Sequence, residues 1–137
     1  LAVTGVLVII LTFVSNHMVE SKSVSAVISA STDEERRNYL ATFGWETEEE
    51  FEEKMLTIPQ SWNQVYSDYN EVQMNQGFDL TEYKGRKVTL YTYTIKNYEK
   101  SKEGIVADML VCDGVLIGGD LCNTSAENGF LVGFNGE

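Results

Sequence analysis

The sequence predicts an α+β domain, two helices packed on one face of an antiparallel meander sheet, preceded by an N-terminal transmembrane helix. Three observations lead there. Leu1 to Val14 is apolar apart from two Thr and one Gly and carries no charge. The stretch 58–98 passes from an amphipathic helix through a glycine stop and a basic loop into a β-branched, aromatic strand. Farther on, Asp113-Gly114 separates two apolar runs, and this dipeptide suits a type I′ hairpin turn. With 137 residues, 43% of them hydrophobic, there is material for one core rather than two.

The N-terminal run is shorter than the roughly 20 residues of a spanning helix. The chain starts with Leu rather than Met, so further residues are expected upstream, and an uncleaved single-pass anchor at 1–15 is favoured. Its rivals are a buried core helix, since the run has no polar face, and a cleaved signal peptide. Val24-Ser25-Ala26 would suit a peptidase but lies far beyond the apolar run. Residues 16–31 are rich in Ser and small side chains and read as a linker, within which VSAVISA could add a short strand. His17, the one histidine, has no partner base beside it. Lys22 is the only basic residue between the run and Arg36, as suits an exported domain.

The folded domain is expected over 32–137. Thr32 followed by Glu35 has capping-box spacing, so a first helix starts there. It runs to Phe43, burying Tyr39, Leu40 and Phe43, and Gly44 ends it with Trp45 folding back on the last turn. Glu46, Glu48, Glu49, Glu50, Glu52 and Glu53 follow. They lack the alternating Asp/Asn ligands and turn glycine of a calcium loop and read as a solvated sheet edge or hairpin. Met55, Leu56 and Ile58 carry a strand into Pro59. The second helix opens at Pro59 or Ser61, with Trp62, Val65, Tyr66, Tyr69 and Val72 on one face and Gln60, Gln64, Asn70, Gln73 and Asn75 on the wet side. Gly77 stops it and places Phe78 near Val72.

Lys84, Gly85, Arg86 and Lys87 concentrate three of the 10 basic residues in one turn, ahead of the strand Val88 to Asn97. Ile105 to Cys112 and Val115 to Cys122 form the hairpin. With that two-residue turn Cys112 faces Val115 and Cys122 faces Ile105, too far apart for a disulfide, so two free thiols are expected. Gly118-Gly119-Asp120 interrupts the second strand and predicts a bulge. A last short strand is expected through Phe130 to Phe134. The core candidates are Tyr39, Phe43, Trp62, Tyr66, Tyr69, Leu90, Ile95, Leu110, Val111 and Ile117.

The combination of Ile58-Pro59, Tyr66, Tyr69-Asn70, Gln76-Gly77-Phe78-Asp79-Leu80, Tyr83-Lys84-Gly85 and Gly118-Gly119-Asp120 resembles a family of small uncharacterised domains from Firmicutes, often found behind a single N-terminal hydrophobic segment. The resemblance runs from about Glu34 to the end. It implies a bacterial host, an envelope location and a domain boundary, and it supplies no activity and no catalytic residues.

A formal net charge of −11 argues against a nucleic-acid partner, which needs clustered Lys and Arg to release counterions. The expected function is therefore a non-enzymatic binding or interaction module, anchored in the cell membrane of a Gram-positive bacterium with its C-terminal domain extracytoplasmic. Its expected partners are the membrane, through the N-terminal helix, and an envelope protein or cell-wall ligand. Candidate ligand-binding residues are Asp79, Lys84, Arg86, Lys87 and Asp120; no catalytic residue, metal ligand or cofactor is expected. Two alternatives stand beside this. One is a regulatory or sensory subunit of an envelope signalling or secretion system. The other is a hydrolytic or thiol enzyme using Asp79, Asp108, Asp120 or a cysteine, for which a cavity lined by those carboxylates would be the sign.

Overall fold

The computed structural model describes residues 26–100, 104–125 and 129–137. The expected anchor at 1–15, His17 and most of the expected linker lie outside the described residues. Among the described residues no helix is long and apolar enough to cross a membrane. The elements are α1 (Asp33–Ala41), β1 (Thr47–Thr57), α2 (Gln64–Asn75), a 3₁₀ turn (Leu80–Tyr83), β2 (Lys87–Ile95), β3 (Ile105–Cys112), β4 (Val115–Asn123) and β5 (Leu131–Val132). The strands form one antiparallel meander in sequence order, so the α+β class holds.

Local chemistry builds both helices as their sequences suggest, with one shifted start. Thr32 Oγ1 accepts from the Glu35 amide and Glu35 Oε1 accepts from the Thr32 amide, which closes the capping box on α1. Both helices end on the same device. The Gly44 and Gly77 amides bond to Ala41 and Met74 carbonyls, and Trp45 and Phe78 amides reach back to Leu40 and Gln73. Both glycines sit at φ +88°, a left-handed conformation that side chains resist. α2 begins later than Pro59 or Ser61, because Asn63 caps it through Oδ1 to the Tyr66 amide while Trp62 Nε1 donates to the Pro59 carbonyl and keeps 59–62 in a turn. Phe43, expected inside, is 38% exposed.

The two helices do not share a face of the sheet. Alternation along the strands sends Tyr93, Ile95, Ile105, Ala107, Met109 and Val111 to one side, where Leu40 of α1 and Phe134 join them. Val88, Leu110, Cys112 and Ile117 pack on the other side with Ile58, Leu80 and the α2 rings Tyr66 and Tyr69. β3 explains the correction: it is apolar at seven of its eight positions, so both of its faces need a cover.

β1 is an edge strand of 11 residues whose glutamates stay in solvent. Its irregular stretch between Thr47 and Phe51 is held by Arg37, which donates to the Glu48 and Glu49 carbonyls. Part of the expected linker is recruited to β4. Leu116 N donates to the Ile28 carbonyl, Ala30 N donates to the Gly114 carbonyl, and Ala30 is fully buried.

The β3–β4 turn has Asp113 at φ 50° and Gly114 at φ 77°, the positive pair that a type I′ turn demands. Val111 faces Leu116 but Leu110 faces Gly118, so Ile117 is the extra residue of the expected bulge. That bulge corrects the register beyond it. Cys122 lies opposite Val106 rather than Ile105. Both cysteines are free thiols.

Candidate functional site: a carboxyl pair and a thiol beneath the second helix

Beyond the bulge, Asp120 on β4 stands directly opposite Asp108 on β3, and Thr92 on β2 stands opposite Asp108 from the other side. Residues paired in this way share one face, so all three point toward α2, as does Cys122 two residues past Asp120. Thr92 Oγ1 donates to Asp108 Oδ1 at 2.6 Å, and Tyr69 of α2 donates its hydroxyl to Asp120 Oδ2 at 2.6 Å. The Cys122 thiol donates to Asp108 Oδ2 at 3.8 Å. Asp120 is 2% exposed, and its Oδ1 has no hydrogen-bond partner among the described residues.

Burial dominates the electrostatics here. It pushes the Asp120 carboxyl up to about 6, against the Tyr69 hydrogen bond and with the help of the Asp108 charge. Asp108 is raised by the same desolvation, with Thr92 opposing it. Tyr69 moves well above the ordinary phenol range through burial and then the adjacent Asp120 charge. Cys122 is pushed up to about 12 by burial and by both carboxylates, which favours its thiol over the thiolate.

Asp108 and Asp120 line a cavity of about 290 Å³ between α2 and the sheet. Its walls are apolar, built chiefly by Leu56, Ile58, Tyr66, Leu80, Leu90 and Leu110. Val65, 72% exposed, and Leu131, 43% exposed, complete it on the solvent side.

Two α2 amides place that helix over the site, and both overturn an expectation. Asn70 and Gln73, expected on the wet face, are buried at 3% and 0% exposure. Gln73 Oε1 accepts from the Gly119 amide at 2.7 Å, on the edge of β4 where the two-residue β5 pairs only with Leu121 and Cys122 and leaves that donor without a strand partner. Gln76 reinforces it, donating to the Gly119 carbonyl and accepting from Phe134 N. Asn70 Oδ1 accepts from Leu80 N as its Nδ2 donates to Asp79. The sign in the sequence is Gly118-Gly119, since the missing side chains let α2 approach: a Cβ at Gly118 would run into the Gln73 amide.

The sequence-predicted site residues are dispersed. Asp120 belongs to the cluster. Asp79 caps the 3₁₀ turn, where hydrogen bonds from the Thr81 side chain and backbone and from Asn70 hold its carboxyl below its ordinary value. Lys84 Nζ lies 4.5 Å from the Trp62 ring centroid, and Arg86 pairs with Asp113 at 2.6 Å. Lys87 opens β2 in solvent. None of the three basic residues lines the cavity over Asp120. Asp108 and a cysteine, candidates only in the enzyme alternative, are the groups that converge with Asp120; the sequence marks Tyr69 as core and Thr92 only as part of a strand.

The opposite face also buries a charge. Arg36, 4% exposed, donates from Nε to the Tyr93 hydroxyl and from Nη1 to the Ala30 carbonyl, both at 2.9 Å. Its guanidinium carbon lies 3.5 Å from the Tyr91 ring centroid, and the Tyr93 hydroxyl donates onward to Asp33.

A family model described as a domain of unknown function (DUF4830) matches residues 39–121, a span that includes Tyr69, Asp108 and Asp120. No curated protein and no solved structure matches the chain.

Proposed function

We propose, for a chain that belongs to the DUF4830 family of domains of unknown function, a role as a non-enzymatic binding module that takes a small amphiphilic ligand between α2 and the sheet. One observation carries this reading: an apolar cavity whose lining includes a buried carboxyl with an unpartnered oxygen. Ligand sites are mostly apolar with a few placed polar groups, and their volumes run from about 300 to 1,000 Å³, so this one suits a small molecule or a single side chain. The ligand's apolar body packs on Leu56, Leu90 and Leu110, and its polar head meets the Asp108–Asp120 pair. The setting proposed is the outer surface of a Gram-positive cell, with the uncharged run Leu1 to Val14 as anchor. The acidic balance suits a domain that stands off anionic headgroups.

Calorimetric titration of the full chain in lipid nanodiscs with medium-chain aliphatic alcohols and amines tests the site. Binding is expected, and Leu90→Trp, which fills the cavity, should abolish it while the protein stays folded. Silence toward every probe, or binding indifferent to Leu90→Trp, sinks the reading. Protease added to intact cells should digest the domain, and protection would exclude the outside location.

The convergence of Asp108 and Asp120 favours a hydrolase as second reading, because paired carboxyls can divide acid and base roles. Turnover of chromogenic esters or glycosides that disappears in both Asp108→Asn and Asp120→Asn would replace the first reading with this one.

A further inference from the structure

We infer that Asp108, Asp120 and Cys122 form a three-ligand site for a divalent cation of the zinc class, with its fourth position open toward the cavity. One donor atom from each of the three residues lies within 4.8 Å of the other two. Tetrahedral zinc with bonds of about 2.0–2.3 Å sets its ligand atoms roughly 3.3–3.8 Å apart, so only a small contraction is needed. The Cys122 Sγ to Asp108 Oδ2 separation is already 3.8 Å.

The surrounding hydrogen bonds orient the donors as an outer shell does. Thr92 occupies Asp108 Oδ1 and Tyr69 occupies Asp120 Oδ2, one oxygen of each carboxylate. The remaining oxygens are left for an ion, and metal-ligating carboxylates are commonly held by such partners. Independent evidence comes from Asp120 Oδ1, an acceptor on a residue 98% buried that has no donor among the described residues. Native structures rarely leave such an atom unserved, and a cation serves it.

The donor set selects the metal. A thiolate is a poor ligand for calcium or magnesium and a good one for zinc-class ions, while three protein ligands leave one position for water or a ligand's head. Binding breaks the S–H bond of Cys122, its proton passes to solvent, and the dication offsets three anions held close together. Both ligand strands are interior to the sheet, and the entry path is the cavity that Asp108 and Asp120 line. The site stands on this geometry and goes beyond the proposed ligand reading.

Cobalt(II) titration of the metal-free full chain in lipid nanodiscs tests it, with cobalt as the spectroscopic stand-in for zinc. One equivalent should produce a thiolate-to-cobalt charge-transfer band in the near ultraviolet, and zinc should erase it. Cys122→Ser should remove the band and Cys112→Ser should keep it. Tyr69→Phe and Thr92→Val retain all three ligands and should weaken cobalt by about 10–100-fold with the band preserved; they decide the matter if Cys122→Ser fails to fold. Absence of the band in the wild-type chain, its survival in Cys122→Ser, or unchanged affinity in both outer-shell variants overturns the site. A band without aliphatic binding refutes the ligand reading alone, and aliphatic binding without a band refutes the metal site alone.

Discussion

The sheet buries a polar cluster under each helix, and the two clusters are finished differently. Under α1, Arg36 has the Tyr93 hydroxyl and the Ala30 carbonyl as acceptors and the Tyr91 ring beneath it. Under α2, Asp120 has one oxygen satisfied by Tyr69 and the other by no described residue, beside open volume. A buried polar network stabilises a fold when its members are satisfied and costs stability when one is not. The first cluster therefore reads as an anchor that ties α1, β2 and the segment before α1 together. The second keeps an unfilled valence on a residue that lines the cavity.

The largest effect should come from attacking the finished side. Arg36→Met strips the donors from Ala30 O and Tyr93 and should cost on the order of 3 kcal/mol in urea denaturation, because it orphans buried acceptors. A loss under about 1 kcal/mol would remove the distinction between the faces. Gly119→Ala comes next. A Cβ there runs into the Asp108 carbonyl and the Phe134 ring, so about 2 kcal/mol of overpacking is expected, with β4 displaced at the bulge. Wild-type stability in this variant would show that the bulge is not held as described.

Asp120→Asn sharpens the comparison from the other side. Removing a buried, half-satisfied charge from the metal-free protein should leave stability at neutral pH within about 1 kcal/mol of wild type, or raise it. A loss as large as that of Arg36→Met would mean that both clusters are structural. The smallest effect lies at the cap of α1. The Ser29 and Ser31 hydroxyls, then Thr32, hold the Glu35 carboxyl down to about 2. A depressed carboxyl contributes stability above its ordinary value, near 4.5, and that contribution is lost as pH falls toward 2. Glu35→Gln should flatten this acid limb of the melting-temperature profile, and an unchanged limb would assign the loss elsewhere.

Much of this architecture is legible in local sequence, since short-range chemistry suffices for it. Thr32 and Glu35 close a hydrogen-bonded box within four residues, Gly44 and Gly77 end helices through their own conformational freedom, and Asp113-Gly114 turns the hairpin. The glutamate run reads correctly as an edge because repelled, solvated charges cannot enter a core. The apolar run of the first residues, read as a membrane anchor, lies outside the described structure, so that expectation stands on sequence alone.

Tertiary structure alone decided which face each side chain serves. Periodicity puts Asn70 and Gln73 with the polar residues of α2, but the unpaired Gly119 amide and the backbone at Leu80 draw them inside. The site turns on parity. Without the bulge, Asp120 and Cys122 would share the face of Ala107 and Ile105; one extra residue, Ile117, moves both to the face of Asp108. The paired glycines signalled that a bulge forms. Its placement, and hence the meeting of two carboxyls and a thiol, depends on contacts from Gln73, Gln76 and Phe134, groups distant in sequence whose hydrogen bonds and packing exist only once the chain has folded.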